Sequence, residues 1–174
     1  MQLRLIQSDI RRDPSAAEAL ITNASDELAR SLAELRELAR GIQPAALAHG
    51  LPTALESLAA RSTVPTAVSC DVAERLPQAV ELAAYFVACE ALANVSKYAA
   101  ATSASMHLWK TERGIAIEIA DDGVGGADPA GGSGLRGLAD RVEALGGLVL
   151  VTSPPGAGTV VTAELPCDGE PRGA

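Results

Sequence analysis

Four groups of residues carry side chains or backbone suited to chemistry, and they follow one another along the chain. The first is Glu90, Asn94, Lys97 and Tyr98, whose offsets of 0, 4, 7 and 8 place them on one face at helical pitch. A carboxylate, an amide and an ammonium in a row suit a divalent cation with phosphates beside it, since magnesium prefers hard oxygen ligands and keeps several waters. The same spacing also describes an ordinary solvated helix surface. The second group is Asp121-Asp122-Gly123-Val124-Gly125-Gly126, directly after an apolar strand. Its glycines allow positive φ and the close approach of a flat ligand, and a carboxylate at a strand end accepts from an exocyclic amine. A tight Asp-Gly turn explains the string equally.

The third group, Gly132-Ser133-Gly134-Leu135-Arg136-Gly137-Leu138, opens a helix. Free N–H groups and the positive end of the helix dipole make an anion site there. The string matches Gly-x-Gly-x-x-Gly, but its glycines follow a loop and not a strand, so the dinucleotide-binding reading fails. No Gly-x-x-x-x-Gly-Lys-Ser/Thr string occurs. The fourth group, Gly156-Ala157-Gly158-Thr159, is also readable as a hairpin turn. The two histidines, His49 and His107, sit in a glycine-containing loop and on a strand, and no nucleophile triad is readable.

The elements that must position these groups follow from periodicity. Leu20, Ala24, Leu28, Leu32, Leu35, Leu38 and Ile42 recur at spacings of three and four, marking a helix from Ser15 about 40 Å long. It stops at Gln43-Pro44, because the residue before proline avoids the helical region. So long a stripe needs a partner helix, and only Leu3–Arg12 precedes it. A short helix is expected over Pro52–Ala60, a strand over Val64–Cys70, and a strong helix from Pro77 to about Ala101. Strands at Ser103–Lys110 and Ile115–Ala120 flank a turn at 112–114. Helix Leu135–Leu145 ends at Gly146-Gly147, and strands Leu148–Thr152 and Thr159–Leu165 close the fold. Residues 168–174 read as a disordered tail.

Composition bounds the reading. The 174 residues are 48% hydrophobic, 21% charged and 2% aromatic, enough chain for a sizeable core built from small side chains. A net charge of −8 argues against nucleic acid or an anionic membrane as the main partner. Cys70, Cys89 and Cys167 form no CxxC, so a zinc site or disulfide framework is not expected and a reducing cytoplasm fits. No run of about 18 apolar residues is read, and the N-terminus lacks a signal-peptide shape.

Together, helix with Glu-x-x-x-Asn, strand with Asp-x-Gly-x-Gly, then Gly-x-Gly-Leu-x-Gly-Leu, then Gly-x-Gly-Thr resembles the ATP-binding domain of sensor histidine kinases over residues 64–167. That family has the Bergerat-type α+β fold, a mixed sheet with helices on one face. Residues 34–44, followed by Leu47 and Gly50-Leu51, resemble the end of the second dimerisation helix in kinases paired with nitrate-response-type regulators. The resemblance implies a partial helical hairpin over 1–62, an ATP-binding domain over 63–167 and a tail over 168–174.

It also implies roles. Asn94 would ligate magnesium, with Glu90 beside it positioning or polarising a water or the phosphoacceptor. Lys97 would contact phosphate, and Tyr98 stands where the family commonly has histidine. Asp121 would accept from the adenine amino group, Gly123 and Gly125 would make room for the ring, and Thr159 would lie near it. Gly132, Ser133, Gly134, Leu135 and Gly137 would form the lid hinge and phosphate-binding helix start. ATP and Mg2+ are the implied cofactors. A response regulator with a helix-turn-helix output domain is the implied partner. The full-length protein would be a homodimer, and this chain a weak dimer or monomer. The family's phosphoacceptor histidine has no match here, so the chain is expected to bind ATP without autophosphorylating. An anti-sigma-type serine kinase or a non-catalytic ATP-binding module of the same fold remains the alternative.

Overall fold

The computed structural model describes residues 45–127 and 133–167. The expected stripe from Ser15 to Ile42, the tail 168–174 and Gly132 lie outside the described residues. A 3-10 turn at Ala45–His49 leads into helix α1 (Leu51–Ala59). Strand β1 (Thr66–Cys70) then feeds helix α2 (Gln78–Asn94), which runs on into a π turn at Val95–Ala99. Strands β2 (Ala104–Lys110) and β3 (Gly114–Asp121) precede helix α3 (Ser133–Glu143), strand β4 (Leu148–Thr152) and strand β5 (Thr159–Pro166).

The five strands form one mixed sheet in the order β1-β2-β3-β5-β4, with β1 parallel to β2 through the α2 crossover and the other pairs antiparallel. Period-two alternation sends Ala104, Met106 and Leu108 of β2, Ile115, Ile117 and Ile119 of β3, and Val161, Ala163 and Leu165 of β5 to one buried face. The helices supply Val80, Ala83, Ala84, Val87, Leu138 and Val142 to the same core. This is the α+β architecture expected, with helices on one face. Strand β1 starts at Thr66 and not at Val64, since Pro65 has no N–H for the ladder.

Residues 45–59 share this core. Leu47, Leu51, Ala54 and Leu55 are fully buried in the same apolar cluster.

Helix α2 with its π turn, Gln78–Ala99, spans 22 residues and is long and apolar enough to cross a membrane by length and composition alone. It holds no unbroken apolar run of 18 residues, since Glu81, Glu90 and Lys97 interrupt it. Half of this segment is buried inside the fold, so its apolarity has a role in packing against the sheet.

The charged group at the core's edge is Glu81, 0% exposed on α2. Arg75 Nε and Nη2 donate to its two carboxylate oxygens at 3.0 and 2.9 Å, and Leu76 N–H adds a third bond at 3.2 Å. Arg75 Nη1 also reaches Ala48 O at 3.3 Å, so one guanidinium ties the 3-10 turn, the β1–α2 loop and α2 together. Arg75→Met strips the buried carboxylate of its bidentate partner and is expected to lower the unfolding free energy by about 1–3 kcal/mol in a urea titration. Adding Glu81→Leu should recover most of that loss, because an apolar replacement for a buried ion pair is often close to neutral. A single variant as stable as the parent would show that the clasp holds nothing.

Candidate functional site

The site begins where α2 loses its regular pitch. Glu90 and Asn94 are half-buried on α2, while Val87, Ala88, Ala91 and Leu92 face the core. Beyond Asn94 the π turn widens the helix, and Ser96, Lys97 and Tyr98 all face solvent, with Tyr98 66% exposed. The single face expected for Glu90, Asn94, Lys97 and Tyr98 assumes uniform pitch. A turn closed by i→i+5 bonds changes the angle per residue, so the last two are carried out of line. The turn ends at Ala100, whose φ of 48° is left-handed. Glycine is usual at such a cap, and alanine there costs about 1–2 kcal/mol.

That strained end is joined to the Asp-Gly box. Val124 N–H donates to Ala99 O at 2.8 Å, and a Cβ on Gly123 would collide with the same carbonyl. The box is also zipped to the turn before β5. Gly158 N–H donates to Gly123 O at 2.9 Å, Gly156 N–H to Val124 O at 2.7 Å, and Gly126 N–H to Ser153 O at 2.9 Å. Gly125 and Gly158 have φ of 61° and 71°, and a Cβ on either would strike backbone, Pro154 O and Asp121 O respectively. Antiparallel pairing puts Asp121 directly across from Thr159. Asp121 Oδ1 accepts from Gly123 N–H at 2.8 Å, and the Thr159 hydroxyl is 2.9 Å from that of Ser153. Asp121, Gly123, Gly125 and Thr159, separated in sequence, thus lie in one double loop.

Helix α3 docks on α2 through buried Leu138 and Val142 and half-buried Leu135, with the Arg141 guanidinium 4.4 Å from the Phe86 ring centre. Its second residue, Gly134, abuts the Glu90 carboxylate, whereas Gly137 has open space where a side chain would be. Ser133 is the first residue of α3. Among the described residues no group of three or more His, Cys, Asp or Glu is placed to hold a metal ion. His107 lies on the sheet face away from the helices, with Nε2 3.1 Å from Asp71.

Sequence reasoning missed the role of Asp122. Its two carboxylate oxygens accept from Thr102 N–H and Oγ1 at 2.8 and 2.6 Å, and from Ser103 N–H and Oγ at 2.9 Å each. The bond from the Thr102 hydroxyl leads the causes that hold this carboxyl well below the usual range. The Thr102-Ser103 pair after an αL cap is the available signal, since hydroxyl residues in a loop seek a carboxylate.

The geometry is that of a mixed sheet with a backbone-built double loop at one end of β3 and β5 and a carboxylate–amide pair on the neighbouring helix. Solved histidine kinase structures share this fold. The chain aligns with the histidine kinase domain of a blue-light activated histidine kinase from Erythrobacter litoralis at a TM-score of 0.58 and 22% identity, covering 67% of this chain and 61% of that one. It aligns with the ATP binding domain of PrrB from Mycobacterium tuberculosis at 0.50 and 23%, covering 67% and 91%.

Sequence relatives agree. The sensor histidine kinase MctS of Rhizobium johnstonii is 30% identical over 90% of this chain and 36% of its own length. The oxygen sensor histidine kinase NreB of Staphylococcus carnosus is 40% identical over 54% and 28%, and the nitrate/nitrite sensor protein NarQ of Escherichia coli 26% over 93% and 30%. No protein-family model matches. The chain is homologous to sensor histidine kinases, an oxygen sensor and a nitrate/nitrite sensor among them, and carries the fold of solved histidine kinase ATP-binding domains. It spans about a third of the length of the curated relatives it matches.

Asp122→Asn tests the clamp. A carboxylate whose folded pKa is depressed contributes stability above its unfolded pKa, about 4, and loses that contribution as pH falls through the folded value. The variant should therefore melt below the parent at pH 7, and the gap should close as pH drops below about 4. A pH-independent gap would mean that the carboxylate charge is not what ties the loop.

Proposed function

We propose that this chain is the ATP-binding catalytic portion of a two-component sensor histidine kinase, donating the γ-phosphoryl group to a histidine supplied from outside the described domain. The observation that carries the reading is the double loop, in which Asp121 faces Thr159 and three glycines leave the backbone bare. Asp121 keeps one oxygen on Gly123 N–H and turns the other to the adenine amino group. Gly123 and Gly125 make room for the ring, and Thr159 borders it. Ser133, Gly134, Leu135 and Gly137 would lie along the phosphates.

Phosphoryl transfer asks for positioning and charge neutralisation more than for covalent help. Asn94 would hold magnesium through its amide oxygen, and the ion would supply charge neutralisation at the phosphates. Lys97 contacts phosphate as a point charge. Glu90 orients or polarises the attacking group. Tyr98 offers an exposed aromatic face and a hydroxyl where the resembling family commonly has histidine. A response regulator with a helix-turn-helix output domain receives the phosphoryl group. The kinase works as a homodimer, with this domain in the cytoplasm.

Calorimetric titration with ATP, with and without magnesium, tests the reading on the chain and on Asp121→Asn. Asparagine retains the acceptor for Gly123 N–H but turns an N–H2 donor toward the adenine amine, so the loop survives while recognition fails. Saturable binding by the parent and an affinity about 10–100-fold weaker in the variant are expected, the worth of a hydrogen bond to a charged group. Equal affinities would remove Asp121 from base recognition.

A further inference from the structure

Ser153 has no part in the reading above, yet its hydroxyl stands where the two loops meet. It accepts from Ala127 N–H at 3.0 Å and lies 2.9 Å from the Thr159 hydroxyl and 3.4 Å from Gly158 O. Its backbone oxygen takes Gly126 N–H at 2.9 Å. Thr159 pairs with Asp121 across the ladder, and both continue the alternation that sends Ile119 and Val161 to the helix-covered face. Side chains directly opposite on one face are neighbours, so the Thr159 hydroxyl and the Asp121 carboxylate stand side by side.

Counting hydrogens decides what each group can offer. A hydroxyl has one hydrogen and two lone pairs, whereas an ionised carboxylate only accepts. Ser153 uses a lone pair on Ala127 N–H. Its hydrogen goes to the nearer acceptor, Thr159 Oγ1, because Gly158 O lies at the limit of hydrogen-bond distance. Thr159 then accepts from Ser153 and keeps its own hydrogen for a ligand. The pair presents an acceptor at Asp121 and a donor at Thr159. Adenine offers the complement, an amine donor beside a ring nitrogen that accepts. Hypoxanthine offers the reverse, a carbonyl beside an N–H.

We infer that Ser153 is a positioning residue that sets the polarity of base recognition, orienting Thr159 to donate to the ring nitrogen beside the adenine amine. This rests on the ATP-binding reading above and deepens it. The Asp121 carboxylate selects the amine, and Ser153, acting through Thr159, selects the nitrogen next to it. Without the serine hydrogen, Thr159 is free to rotate and to offer a lone pair as readily as a hydrogen. Discrimination between the two base edges then falls.

The test is calorimetric titration of the chain, Ser153→Ala, Thr159→Val and the double variant with three nucleotides. These are ADP, inosine diphosphate, and purine riboside diphosphate, which keeps the ring nitrogen and lacks the amine. Three-bond couplings in the nucleotide-free protein report the χ1 rotamer of Thr159 alongside. Ser153→Ala should weaken ADP and purine riboside diphosphate alike, roughly three- to tenfold, the worth of one neutral hydrogen bond. Inosine diphosphate should bind that variant no more weakly than the parent, so the preference for ADP falls. The double variant should lose no more than the larger single, since both remove one contact. Thr159 should hold one rotamer in the parent and average between rotamers in Ser153→Ala. A damaged loop lowers all three affinities together, so equal weakening would reduce Ser153 to a support for the backbone and overturn the inference. Unchanged ADP affinity or an unchanged Thr159 rotamer in Ser153→Ala would overturn it too. No ADP binding by the parent would defeat the ATP-binding reading itself, while the rotamer result would still decide whether Ser153 orients Thr159.

Discussion

The candidate site depends on the contact between two backbones that have no side chains between them. Residues 121–126 and 153–159 exchange three backbone hydrogen bonds at 2.7–2.9 Å, and Gly123, Gly125 and Gly158 each present bare backbone where a Cβ would strike a carbonyl. Two loops can approach this closely only if their inward positions are glycine. The pairing of β3 with β5 sets the register, so that Asp121 meets Thr159 across the ladder. A slip of one residue would turn both side chains to the opposite faces. The sheet therefore acts on the site by fixing register, and the glycines act by removing bulk.

Helix α2 carries the second half of the arrangement and explains why so few aromatic residues suffice. Ala83, Ala84, Ala88 and Ala91 are buried along it, and small residues let a helix axis lie close to a sheet. Tyr85 and Phe86 are only half-buried, and Arg141 of α3 rests on Phe86. The helix that fills the core thus also presents Glu90 and Asn94, and packing and chemistry cannot be varied independently along it. The π turn and the strained Ala100 lie where these two demands meet, immediately before the chain reaches the clamp on Asp122. Local strain at such a junction persists only because surrounding contacts over-determine it, here Ala99 O to Val124 and four bonds into one carboxylate.

The sequence made the strands legible because alternation of period two is strong in Ala104–Leu108 and Ile115–Ile119, and β4 has the bounds read from it. The Gly-rich strings were legible as turns and loops, since glycine marks positions of positive φ or close backbone approach. What escaped was tertiary in origin. A π turn leaves no mark in a helical stripe, since residues 95–99 fit either pitch. The Arg75–Glu81 clasp joins a loop to a helix whose buried face is otherwise apolar, and only the fold shows which glutamate is inside. Asp122 looked like the second half of an Asp-Asp pair, yet its partners, Thr102 and Ser103, lie across the β2–β3 hairpin.

The two sides of the site are held by different kinds of interaction, and the difference has an energetic meaning. The side assigned to the base is built from backbone hydrogen bonds and sheet register, so it is formed before any ligand arrives and little ordering remains for binding to supply. On the side assigned to phosphate, Glu90 and Gly134 meet through a flexible side chain, and α3 packs on the domain through Leu138, Val142 and Arg141. A nucleotide would then dock its rigid part against a rigid frame and spend its binding energy rearranging the charged end. Catalysis needs geometry that appears only when the phosphates are in place. On the proposed reading, a domain rigid at the base and adjustable at the phosphates would meet that need with one sheet and two helices.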